Sequence, residues 1–64
     1  MNNYRKILEE KAKIGLEELK QFIEQDNNLL YETEEEENFI TINIFMFDEN
    51  SCTEFLESYE FEKK

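Results

Sequence analysis

The chain has no histidine, no proline, one glycine and one cysteine among its 64 residues. The lone Cys52 rules out an internal disulfide, and a single thiol without histidine is a poor zinc site. One glycine leaves no phosphate-cradling loop. Nucleophilic catalysis has no constellation to rest on, because no serine sits near a plausible base and the one thiol lies among carboxylates that disfavour its thiolate. Two carboxylates can act as acid and base, but with seventeen Asp and Glu residues any such pair is expected by chance. "DENSCTE" carries some oxygen ligands of a calcium loop without the alternating spacing or the central glycine. The expectation is a protein that is not an enzyme, with no cofactor and no metal.

Long apolar runs are also missing. No stretch approaches the ~20 residues that span a bilayer, and the amino terminus has no signal-peptide core. A soluble, cytoplasmic chain without a membrane partner is expected, and the single reduced cysteine agrees with that compartment.

Positive charge is absent from most of the chain. Residues 1–20 hold five basic and four acidic side chains, whereas residues 21–62 hold thirteen acidic and none basic, within a total of −10. Direct nucleic-acid binding is excluded on sign, since phosphates call for a basic patch.

High charge is a signature of disorder. Nine aromatic residues, aliphatics in periodic order and the lack of proline argue for a fold instead. At this length one domain spanning 1–64 is expected. It buries only about 60% of its unfolded surface, and with disulfide and metal removed, association is the support left open.

Residues 4–25 read as one amphipathic helix. Leu8, Ala12, Leu16, Leu19 and Ile23 fall within an arc of about 80° on a helical wheel, Glu9 precedes Lys13 in the favourable i, i+4 order, and Asn2 or Asn3 can cap the first turn. Ile7 and Ile14 form a second, narrower seam, either at the edge of the core beside the Lys11 stem or as a contact with another helix. Gly15 on the apolar face suggests the close approach of another backbone. "DNN" at 26–28 closes the helix, asparagine tolerating the left-handed conformation.

"LLYET" and "NFITINIFMF" alternate with period two. With Glu34 to Glu37 as a four-residue hairpin loop, Thr33 pairs with Asn38, Tyr31 with Ile40 and Leu29 with Ile42, so the apolar faces coincide. The glutamate run is then a hairpin tip kept in water, and it blunts the strands beside it against aggregation. The other face of the second strand shows Phe39, Phe45 and Phe47, a row that one helix cannot cover and that marks a contact surface. The last segment reads as a strand in which Phe55, Glu57, Tyr59 and Phe61 share a face. It also reads as a helix opened by a Ser51/Glu54 capping box. The expected architecture is α+β, one N-terminal helix packed on a small antiparallel α-β-β-β meander, with α-β-β-α as the alternative.

Two functional expectations follow. In the first, the chain is an acidic inhibitor or decoy that binds a basic, nucleic-acid-handling protein and imitates nucleic acid. Glu32, Glu34, Glu35, Glu36, Glu37, Asp48, Glu49, Glu54, Glu60 and Glu62 supply charge, and Phe39, Phe45 and Phe47 the anchor. Carboxylates on one strand face repeat about every 6.8 Å, against about 3.4 Å per phosphate of one DNA strand, so several strands must combine. In the second, the chain is a homo-oligomeric structural or regulatory module that uses Ile7, Ile14, Phe45 and Phe47, and its acidity only solubilises. Such short, acidic, cysteine-poor α+β chains resemble in style the proteins with which phages and mobile elements block host enzymes or defence systems. That resemblance implies the inhibitory reading and transfers no individual residue.

Overall fold

A computed structural model describes residues 3–48, 50 and 52–63. The order is α1 (Asn3–Ile14), α2 (Leu16–Glu24), β1 (Leu29–Glu35), β2 (Phe39–Phe47) and β3 (Thr53–Glu62). The strands form one antiparallel sheet in the order β1-β2-β3. This is the expected α+β meander, and its last element is a strand, which removes the α-β-β-α alternative. Asn2 and Ser51, named above as cap residues, lie outside the described residues.

The single helix expected over 4–25 is two helices broken at Gly15. There the backbone turns to φ 158°, ψ 169°, a region reached essentially by glycine alone. The peptide hydrogen bonds on either side survive, from Gly15 N–H to the Lys11 carbonyl at 3.1 Å and from Leu19 N–H to the Gly15 carbonyl at 3.2 Å. The wheel missed the break because both halves keep their apolar residues toward the core. No close approach accompanies it, since a Cβ built on Gly15 meets nothing within 4 Å. Gly15→Ala is therefore expected to destabilise through the backbone alone, by about 1–3 kcal/mol. Thermal unfolding followed by circular dichroism checks this, and a rise in Tm would mean that the break is not required.

Helix α2 packs on β1 and α1 on β3. Between the layers lie Leu8, Leu19, Ile23, Leu29, Ile42, Ile44 and Leu56, each no more than 6% exposed. Asp26 shapes the turn after α2. Its Oδ1 accepts the Asn28 N–H at 2.9 Å, and its carbonyl accepts the Leu29 N–H at 3.2 Å. A carboxylate thus does the work expected of an asparagine in the left-handed region; Gln25, at the helix end, is right-handed. The layers are tied at the rim by the Tyr31 hydroxyl donating to Glu24 Oε2 at 2.8 Å and by Arg5 Nε to Glu57 Oε2 at 3.2 Å.

The β1–β2 register differs from the expected one by four residues. Leu29 lies opposite Met46, Tyr31 opposite Ile44 and Thr33 opposite Ile42, and Glu34 and Glu35 continue the strand opposite Thr41 and Ile40. A slide by an even number keeps every side chain on its own face, so alternation alone cannot detect it. The observed register sets the apolar half of β1, Leu29 to Tyr31, against Ile44 to Met46 at the C-terminal end of β2, whereas the expected one left Ile44 and Met46 with no β1 partner. The hairpin turn is correspondingly short, residues 36–38, with Glu36 N–H bonded to the Phe39 carbonyl at 2.8 Å. The glutamate run is therefore half strand and half tip.

The β2–β3 pairing shifts between Ile44 and Phe45. Glu57 stands opposite Ile44, Phe55 opposite Phe45, and Leu56 is the extra residue of a bulge. The bulge turns Leu56 into the core at 6% exposure and sends Phe55 to the far face at 55% exposure. The expected sharing of one face by Phe55, Tyr59 and Phe61 is thereby broken. Tyr59 and Phe61 pack against the core, while Phe55 joins the side of Phe45.

Candidate functional site

With both helices on one side, the opposite face of the sheet is left open. Its composition follows from register. Leu30, Phe45 and Phe55 lie side by side across the three strands, and Phe47 lies beside Thr53. Next toward the hairpin come Glu32, Asn43 and Ser58, then Glu34, Thr41 and Glu60, and finally Phe39 beside Glu62. Glu36, bonded to Phe39 through its backbone, closes that end.

The face is thus divided. At one end Leu30, Phe47 and Phe55 are 44%, 37% and 55% exposed, and the Phe45 and Phe55 rings meet edge-on, centroids 5.8 Å apart at 74°. Beside them an open groove of about 370 Å³ is lined by Leu30, Tyr31, Glu32, Phe45 and Thr53. At the other end two carboxylate rails run along β1 and β3, each repeating every ~6.8 Å and separated by two strand spacings, about 9.6 Å. Between them β2 supplies a low floor of Thr41 and Asn43.

No Lys or Arg occurs anywhere in the three strands. The ion pairs among the described residues are Arg5–Glu57, Lys13–Glu9 and Lys63–Glu35, and none uses a carboxylate of the open face. The closest polar contact there is Asn43 Nδ2 donating to Glu34 Oε2 at a marginal 3.5 Å. Removing these carboxylates would therefore break none of these ion pairs.

The expected contact residues separate accordingly. Glu32, Glu34, Glu60 and Glu62 gather on the open face with Phe45 and Phe47. Glu36 and Glu37 lie at the tip. Glu35 points to the helix side and is held by Lys63 Nζ at 2.9 Å; that bond, aided by the lysine's charge, keeps its carboxyl below the ordinary 4.5. Glu54 lies opposite Met46, also on the helix side. Asp48 is engaged in the β2–β3 turn, its Oδ1 accepting the N–H groups of Asn50 at 2.9 Å and Cys52 at 3.0 Å. Glu49 lies outside the described residues. Phe39 is half-buried between Glu36 and Glu62, six residues and so about 20 Å along the strand from Phe45; the three phenylalanines are not one patch. Ile7 and Ile14 belong to α1, on the other layer, and are 37% and 66% exposed. Leu30 and Phe55 were not anticipated. Alternation in "LLYET" already puts Leu30 on this side, whereas Phe55 reaches it only through the bulge.

Among the described residues no group of His, Cys, Asp or Glu is arranged to hold a metal ion, and no helix is long and apolar enough to cross a membrane. All three tyrosines titrate above the ordinary 10.0: Tyr4 through a hydrogen bond to the Asp26 side chain, Tyr31 through its bond to Glu24, and Tyr59 through burial and then the Glu57 charge. A folded-state pKa above the unfolded value stabilises the fold below pH ~10 and is lost as pH rises through the folded values. Tyrosinate absorbance is expected to emerge at higher pH in the native protein than in the urea-unfolded chain. Coincident titration curves would contradict these contacts.

Comparison with protein-family models, with curated proteins and with solved structures finds no match for this chain.

Proposed function

We propose that this protein is a small acidic inhibitor or decoy, of the phage or mobile-element kind, that binds a basic, nucleic-acid-handling host or defence protein through the open face of its sheet. The observation that carries the reading is the division of that face. Carboxylates that make no ion pair among the described residues occupy one end, and the exposed Leu30, Phe47 and Phe55 with the half-buried Phe45 occupy the other. A concentration of carboxylates on one face steers a basic target and raises its on-rate. Aromatic side chains beside them supply the anchor that steering alone lacks. One rail is half as dense as a DNA strand, and two rails on one face answer that shortfall.

The test is a pull-down from host lysate at low salt, eluted with a salt gradient. The expected catch is a basic protein whose affinity falls steeply as salt rises. A partner whose affinity barely changes between low and moderate salt would remove the reading. Exposure of Leu30 and Phe55 also favours a second reading, a homo-oligomeric module with a solubilising acidic surface. Light scattering that finds only monomer across micromolar concentrations would end that one.

A further inference from the structure

We infer that the occupant of the open face is a single cationic amphipathic α-helix of the partner, lying along β2 with an apolar side chain at the Leu30/Phe55 end and its Lys or Arg residues at the hairpin end. The inference rests on the inhibitory reading and specifies what that reading leaves open.

Width is the first argument. The rails on β1 and β3 stand about 9.6 Å apart, and a helix with its side chains is about 10–12 Å across. The floor between them is low, Thr41 and Asn43, so a helix resting over it brings side chains from both of its flanks to the two rails.

Charge and polarity supply the second. Rail carboxylates have no ion-pair partner among the described residues, so a guanidinium or ammonium arriving there displaces no existing pair. Four residues of β2 separate the Phe45 row from the Thr41 row, a distance of about 13.6 Å. On a helix this corresponds to about nine residues at 1.5 Å each. The partner helix therefore carries its cations two to three turns from its apolar anchor, and that anchor has the groove of about 370 Å³ beside Phe45 to enter. A second copy of the chain fits poorly, because each copy carries a formal charge of −10 and stacking two such faces opposes like charges.

Two synthetic helical peptides of identical composition test this on the isotope-labelled full chain. In the zoned peptide, Leu and Phe lie two to three turns from a block of Arg on the same face, at offsets of about seven, eight and eleven residues; in the interleaved peptide the same residues alternate along that face. A peptide with the two zones simply exchanged is no control, since it can bind end-for-end. The zoned peptide is expected to bind at least about tenfold tighter, to shift the amide resonances of Phe45, Phe55 and Thr41 together, and to lose about tenfold on Phe55→Ala. That variant folds, because the ring is 55% exposed.

Equal affinity for the two peptides, absence of binding, or shifts confined to the helix layer would overturn the inference. So would shifts at Phe45 and Phe55 that track the concentration of the protein alone, which would make a second copy the occupant. The inhibitory reading stands or falls separately, on the salt dependence of the captured partner.

Discussion

Ile44→Ala is expected to remove roughly half of the protein's folding stability. Ile44 is fully buried at the centre of the middle strand, and truncating a buried isoleucine to alanine costs about 2–5 kcal/mol. A domain of this length holds only about 3–10 kcal/mol in total, at 0.05–0.15 kcal/mol per residue. There is nothing in reserve: no disulfide is possible with one cysteine, and the described core is seven side chains in one cluster. Phe55→Ala is the contrasting case. It removes a mostly exposed ring and one edge-on contact, and its cost is expected near 1 kcal/mol. Urea unfolding followed by circular dichroism measures both; an Ile44→Ala midpoint close to the parent's would mean that the sheet's helix-covered face is not the core.

The second large effect is on association. Replacing Glu32, Glu34, Glu60 and Glu62 together by glutamine strips both rails while leaving every described ion pair intact. The on-rate for the captured partner is expected to fall about 10- to 100-fold, in line with the loss of electrostatic steering, and most of its salt dependence should vanish. Folding stability should hold or improve, because the substitution relieves repulsion between carboxylates that have no cation within their strands. Stopped-flow association at several salt concentrations reads the first effect, and urea unfolding the second.

Much of the fold was legible in the residues. Period-two alternation in β2 correctly separates the buried Ile42 and Ile44 from Phe45 and Phe47, and the wheel correctly selects Leu8, Leu19 and Ile23. What escaped were features that leave those periods unchanged. A break at Gly15 that keeps both apolar faces inward does not disturb the wheel. A four-residue slide in β1–β2 pairing does not disturb parity, yet it moves Glu34 and Glu35 from the loop into the strand. The bulge at Leu56 does change parity, and only halfway along β3, so Phe55 appeared to belong with Tyr59. The divided face depends on that single extra residue, since without it the apolar end would lack Phe55. Asp26 and Asp48 are the only aspartates among the seventeen acids, and aspartate's preference for turns is the available signal; Asp48 reads as contact charge in the sequence because its bonds to the N–H groups of Asn50 and Cys52 appear only in the structure.

The idea that one surface acts, and not the charge of the whole, is tested most directly by a matched pair of variants. One carries glutamine at Glu32, Glu34, Glu60 and Glu62. The other carries it at Glu9, Glu10, Glu17 and Glu18 on the helix layer. Each moves the formal charge from −10 to −6. Affinity for the captured partner, measured for both at one salt concentration, should collapse for the sheet variant and stay near the parent's for the helix variant. Equal losses would mean that the partner senses only net charge and that the open face has no special part in binding.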